Sequence, residues 1–402
     1  MNLVKAIRTV RHTAALFSLL PVFGLSIAQA QVPRAQPKEG RTFTAPLSER
    51  IPEQISTLPE FGTISWTTTQ LPWVGEGPYE GISGTGMVEI DGIIYVVGGF
   101  IPGSDGTDET TSNRTSRSMW SYDTKDKTWT QLADAPFRRE YVRAVAAEGK
   151  VYLAGGGCQY KGETPPYRVH GDCAVFDPND GPKGTWTVLP TLNVPRTHMS
   201  VGYAGGQVLI MGGNAYDWVE KGYSHATIRG TAEGLLSAQQ SGDWRELTPI
   251  PGAPRGWCAS TVNKDTLYLF GGITWNESNT VVPTPETLRY HPDTNTWTTH
   301  TPPPLPISGW EGATYQHRYA INVGGVVRPA SGKDEDLIWS DLCVAYDMES
   351  DRWMQVNGAL PPGAVFNDPG VVILGDTIYV LGAEGPHGTH YNYFLIGQIT
   401  RK

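Results

Sequence analysis

The chain has 402 residues, with 31 Lys and Arg against 40 Asp and Glu and a formal net charge of −9. An acidic chain lacks the basic surface that draws in phosphate backbones, which argues against a nucleic-acid partner. Only 18% of residues are charged, while Gly reaches 47, Pro 31 and Trp 13, a composition of short strands and tight turns rather than long helices.

Lys5, Arg8 and Arg11 precede an apolar stretch from Ala14 to Ile27 and then Ala28-Gln29-Ala30. This is the layout of a secretory signal peptide with a small-x-small cleavage site, assigned to residues 1–30. The apolar run is shorter than the ~20 residues of a spanning helix. The expectation is therefore a secreted or periplasmic protein with no membrane contact after signal cleavage. Losing the three cations moves the charge from −9 to −12. Residues 31–59 are expected to be a flexible leader, since 31–50 are rich in Pro, Arg and Glu with no apolar period.

From residue 60 to about 400 one phrase recurs. It reads IIYVVGG to Gly99, KVYLAGG to Gly156, QVLIMGG to Gly213, TLYLFGG to Gly272 and YAINVGG to Gly325, with a weaker copy, TIYVLGA, to Ala383. The first glycines stand at 98, 155, 212, 271, 324 and 382, with spacings of 57, 57, 59, 53 and 58. A period of this length marks a repeat architecture. Trp129, Trp186, Trp244, Trp297 and Trp353 form a second column, and Tyr122-Asp123, Phe176-Asp177, Tyr290-His291 and Tyr346-Asp347 a third. Each unit then holds an approach strand, the apolar Gly-Gly strand, the aromatic strand and the Trp strand: four short antiparallel strands, which make one propeller blade. The sixth unit has no Trp after Gly382, but Trp66 in ISWTTTQLP carries the Trp-strand signature 32 residues before Gly98. The N-terminal strand should complete the last blade and leave no open sheet edge.

These Gly-Gly, Tyr and Trp columns resemble the kelch-repeat family. The resemblance implies an all-β fold, a six-bladed kelch-type β-propeller whose ring is closed by the N-terminal strand. The nearest enzyme resemblance is to the N-acetylneuraminate epimerase (sialic acid mutarotase) family, which implies interconversion of sugar anomers by an isomerase.

In a propeller the first strand of each blade lines the central channel. Counting back 14 residues from each glycine gives Gly84, Tyr141, His198, Trp257, Trp310 and Asp368, expected to ring one level of the channel mouth. Arg139, Glu140, Arg143, Arg196, Arg255, Glu311 and Asn367 lie beside them. Aromatic faces and guanidinium forks together suit a ring-shaped ligand carrying an acid group. The ligand-binding set is Arg139, Arg143, Arg196, Arg255, Tyr141, Trp257, Trp310 and Asp368. For the arginines the alternative is fastening a turn, and for the tryptophans packing. Anomer exchange needs one group to take a hydroxyl proton and another to protonate the ring oxygen. Glu311 and Glu384 are the candidate bases and His198 the candidate acid.

Glu384, His387 and His390 crowd one loop, but without a helix to align them no metal site is assigned, and no cofactor is expected. Cys158 and Cys173 bracket a connection between antiparallel neighbours and are expected to form a disulfide, whereas Cys258 and Cys343 read as buried thiols. Longer connections run over 102–117 and 214–234, the second holding Tyr216, Asp217, Trp218 and His225. Asn113 and Asn276 are glycosylation sequons only in a eukaryote. Two functions stay open: a propeller acting on a carbohydrate, with a small molecule or oligosaccharide as partner, or a non-catalytic propeller binding a glycan or protein. Galactose-oxidase-like copper chemistry is a further alternative, set back by six blades instead of seven.

Overall fold

A computed structural model describes residues 46–402 except 75–80, 102–114, 161–166, 220–221, 229, 237–241, 277–279, 329–336 and 387–388. The signal segment, most of the 102–117 connection, Asn113 and His387 lie outside the described residues.

The fold is an all-β propeller. Four sheets of four strands follow one another, each antiparallel and each taken in chain order. The first holds Gly86–Ile90, Ile93–Val97, Met119–Asp123 and Thr128–Gln131. The second runs from Arg143–Ala147 to Thr185–Leu189, the third from Ser200–Ala204 to Arg245–Leu247, and the fourth from Ala259–Asn263 to Thr296–His300. The fifth and sixth repeats share one nine-stranded sheet. In it Glu60–Gln70 pairs antiparallel with Tyr393–Arg401, placing Trp66 opposite Gly397, and parallel with Arg352–Asn357. Each first strand lies against that of the next repeat, and Gly370–Leu374 lies against Gly86–Ile90.

The repeating residues follow from how neighbouring repeats meet. Gly98 has φ 70°, and a Cβ there would stand 2.6 Å from the Arg139 carbonyl of the following repeat. Only glycine takes both the left-handed backbone and that close approach at low cost. The tryptophans also tie repeats together: the indole N–H of Trp186, Trp244, Trp297 and Trp353 donates to the carbonyl of Ala133, Pro190, Thr248 and Thr301, each in the preceding repeat. Apolar clusters fill the spaces between repeats, as where Val97, Val142, Leu153 and Phe176 meet between the first and second.

Two expectations are corrected. The leader packs from Pro46 onward: Leu47–Arg50 and Glu53–Ser56 form helical turns whose Leu47 and Ile55 enter the cluster around Tyr268, Trp310 and Trp353. Ser48 N donates to Asp341 at 2.9 Å, and Gln355 N donates to Pro59 O at 2.9 Å. The Cys158–Cys173 disulfide does not form, and all four cysteines are buried thiols. The turn at Gly155-Gly156 carries the chain into a separate hairpin that sets Cys158 opposite Arg168, while Cys173 stays in the main sheet opposite Ala154. Burial pushes the Cys173 and Cys258 thiols up to about 12, so thiolate is scarce at neutral pH. An aromatic disulfide reagent at pH 8 is expected to titrate the thiols rapidly only after denaturation, and prior reduction should leave the melting temperature unchanged. Two thiols missing from the denatured count without prior reduction would contradict this arrangement.

Candidate functional site at the propeller axis

Tyr141, His198, Trp257 and Asp368 all have positive φ, between 49° and 55°, in register with Gly84 and Gly309. For residues with side chains this backbone costs on the order of 1–3 kcal/mol each and persists only where the surroundings hold it. The holding contacts run between repeats: Trp257 N donates to His198 O at 3.1 Å, Gly309 N to Trp257 O at 2.9 Å and Asp368 N to Gly309 O at 2.6 Å. The fifth repeat thus contributes Gly309 instead of Trp310. Its hairpin turns through three residues, Gln316, His317 and Arg318, between the paired Tyr315 and Tyr319, whereas the first repeat uses two, Asp91 and Gly92. A fixed count of 14 therefore lands one residue late. Trp310 is buried in the core, stacked on Trp353 at 5.8 Å, with its indole N–H on Phe270 O at 3.0 Å. It is a packing residue.

The side chains of this ring plug the axis. The His198 ring lies between Tyr141 and Trp257, each at a centroid distance of 4.1 Å, and Trp275 stands 5.7 Å beyond Trp257. His198 Nδ1 meets Thr197 Oγ1, and Nε2 is 3.9 Å from Asp368 Oδ2. Burial, then the nearby Arg143 charge, holds His198 well below its ordinary value. It is neutral at physiological pH, which corrects its reading as a proton donor. Arg143, from the second repeat, spans the axis. Its Nη1 is 3.1 Å from Glu311 Oε2, its Nη2 is 3.5 Å from Asp368 Oδ1, and its Nε donates to Met199 O at 3.1 Å. Asp368 is 3% exposed; burial raises it to about 7 against the opposing pull of Arg143. Burial raises Glu311 too, again opposed by Arg143.

This plug divides the expected site in two. On one side a cavity of about 360 Å³ follows the first strands, with Arg143, Glu311, Thr85 and Ser260 at its polar end and Met87, Val201, Val262, Ala313 and Val371 along its walls. On the other side lie the residues that follow each Gly pair, at the expected mouth. There Glu384 keeps part of its surface open and accepts a hydrogen bond from Tyr141 Oη at 3.0 Å. Burial raises Glu384 above the usual carboxylate range, with the Tyr141 hydroxyl opposing, and Tyr141 itself is raised well above 10. Tyr141, Trp257 and Trp275 are half-buried, the two tryptophans lying across the His198 ring from Tyr141. Trp275 had no marker in the repeat, since it sits in the side hairpin Ile273–Trp275 with Val281–Pro283. The connection after Asn214 likewise forms a hairpin, Asn214–Val219 with Gly222–Ile228.

The remaining candidates separate by partner. Arg196 is fully buried and pairs with Glu233, and it donates to Gly212 O and Thr231 O, both at 2.9 Å. Arg255 is 3.0 Å from Glu286. Both fasten turns within their repeats, Arg255 also through Nε to Ala253 O at 3.3 Å, the alternative stated for these arginines. Arg139 pairs with Asp172 and lines a different cavity. His390 Nδ1 lies 2.9 Å from Ser83 Oγ, and among the described residues no three metal-ligating side chains gather.

Fold and repeats together define a kelch-repeat β-propeller. The Kelch motif profile matches residues 82–136. The chain is similar to Kelch-like protein terF of Aspergillus terreus, 31% identical over 245 residues that cover 60% of this chain and 49% of that protein. It is also similar to Kelch repeat protein M-T8 of Myxoma virus, 23% identical over 56% of this chain and 39% of that protein. The chain thus spans half or less of these curated relatives. Among solved structures YjhT superposes with a TM-score of 0.62 at 14% identity, covering 83% of this chain and 99% of that one, a likeness of fold.

Proposed function

We propose that this protein is an exported six-bladed kelch propeller, closed by its N-terminal strand, that binds a carbohydrate at the axial mouth and interconverts its anomers there. The pairing of Glu60–Gln70 with Tyr393–Arg401 and the succession of first strands support the ring. The residues of 1–30 support export.

The observation that carries the activity is the Glu384–Tyr141 pair, with the half-buried rings of Trp257 and Trp275 across the His198 ring from it. Sugar rings pack their C–H faces on such surfaces while polar groups fix their hydroxyls. Anomer exchange requires a proton to leave the anomeric hydroxyl and one to reach the ring oxygen. Glu384 accepts the first, the Tyr141 hydroxyl delivers the second, and the proton on Glu384 passes back to Tyr141 across their 3.0 Å contact, so no charge is left on the phenol. Glu311 lies on the far side of the plug and His198 is held inside it, so neither reaches this position.

The test is exchange NMR on α and β anomers of neutral and acidic sugars. The enzyme reading expects accelerated exchange that Glu384→Gln reduces at least about a hundredfold, the usual range for removing a general acid or base. Saturation transfer without exchange would convert the reading to a lectin-like binder. Neither signal would remove the carbohydrate.

A further inference from the structure

Away from the axis, a cavity of about 320 Å³ opens between the first two repeats, bordered by Arg117, Phe137, Arg138, Arg139, Cys158 and Tyr160. Arg168 adds a fourth guanidinium, 4.5 Å above the Tyr160 ring. Such a concentration of positive charge runs against the −9 of the whole chain. Among the described residues its carboxylates are Asp134, 3.3 Å from Arg117, Asp172, which meets Arg139, and buried Glu140, whose charge acts on Cys158. Arg139 is only 6% exposed, and its Nε has no hydrogen-bond partner among the described residues.

Fastening the turn accounts for Arg139, since Arg196 and Arg255 do the same in the next two repeats. Arg138 donates to Thr115 O at 3.3 Å instead, and Arg117 and Arg168 stand outside that turn. Where Arg138 stands, those repeats carry Pro195 and Pro254. Proline there suits a turn; arginine adds a charge at the cavity edge. Guanidinium forks match the geometry of tetrahedral oxyanions, and a partly enclosed site strengthens the attraction over bulk water.

We propose that this cavity is a binding site for a phosphate or sulfate group, free or borne as an ester by a small molecule, separate from the axial mouth. Arg138 and Arg117 contact the anion, and Arg139, in the cavity wall, adds its charge behind them. His170, 3.6 Å from Asp172 and hydrogen-bonded with Tyr160 at 3.1 Å, is lowered to about 4 by burial and then by Arg139. The positive field of the cavity is the same one that discourages its protonation.

The experiment is calorimetric titration of the intact protein with inorganic phosphate and, separately, inorganic sulfate. The expected result is saturable binding of either anion, weakened roughly tenfold in Arg138→Gln and again in Arg117→Gln, a change of about 1.4 kcal/mol each. Binding should also weaken as sodium chloride is raised. Glu384→Gln should bind the anions as the unaltered protein does, so the outcome is independent of the carbohydrate reading. Absence of saturable binding, or affinities unmoved by both arginine substitutions, would overturn the site. The two arginines border the cavity and lie outside the core, and matching melting temperatures would exclude unfolding as the cause.

Discussion

Arg196→Ala is expected to remove about 3–5 kcal/mol of stability, the range for breaking a buried ion pair by deleting one partner. Arg196 and Glu233 are both essentially inaccessible to solvent. The guanidinium also donates to the carbonyls of Val194, Gly212 and Thr231, and Glu233 accepts from the backbone N–H groups of Asn193 and Val194 at 2.8 and 3.2 Å. One pair thus fastens the entry loop of the third repeat to the ends of its second and third strands. Without the arginine, a carboxylate and three carbonyls remain buried without their strongest partner. Urea unfolding should show the midpoint falling at similar slope. A whole domain holds only about 5–15 kcal/mol, so the loss is a large fraction of the total. Arg196→Met combined with Glu233→Leu should recover part of it, because the uncompensated charge goes as well. If the single substitution cost as little as a surface pair, the burial of this knot would be contradicted.

Such a role for Arg196 was only half legible. Pro-Arg before a first strand reads equally as a turn or a ligand grip, and Glu233, which decides between them, stands 37 residues away in a strand with no acidic marker. The Gly and Trp columns are legible because each rests on a demand repeated in every unit, a left-handed backbone or an indole reaching one neighbouring carbonyl. The axial ring follows from the same period except where a hairpin changes length: the extra residue between Tyr315 and Tyr319 exchanges Gly309 for Trp310. The state of His198 depends on rings from the second and fourth repeats closing over it, which no local pattern records. The disulfide failed for a related reason. Chain separation places Cys158 near Cys173, but the side hairpin after Gly156 gives each cysteine a different sheet.

The same burial that hides the plug makes it sensitive to pH, and Asp368→Asn is expected to show this. Burial lifts Asp368 from 3.8 to about 7, with Glu384 and Glu311 adding to the lift and Arg143 opposing it. Between those values the unfolded chain has released its proton while the folded one still holds it. The native state therefore binds more protons, and stability falls as pH rises from about 4 to about 7. His198 acts in the opposite sense: it is depressed below 6.5, so its contribution is lost as pH falls. Since His198 is present in both proteins, it cancels from their difference. Asparagine keeps an oxygen for Arg143 and cannot ionise. Relative to the unaltered protein, Asp368→Asn should gain stability steadily with pH, by on the order of 4 kcal/mol between pH 4 and 8, because one proton held only by the folded state is worth about 1.4 kcal/mol for every step of one in pH. Glu311, also raised, leaves a shallower slope in the variant. Denaturant unfolding at several pH values measures the gap directly. Parallel curves would mean that Asp368 is ionised throughout, that the axis is wetter than this packing allows, and that the plug does not separate the mouth from the channel.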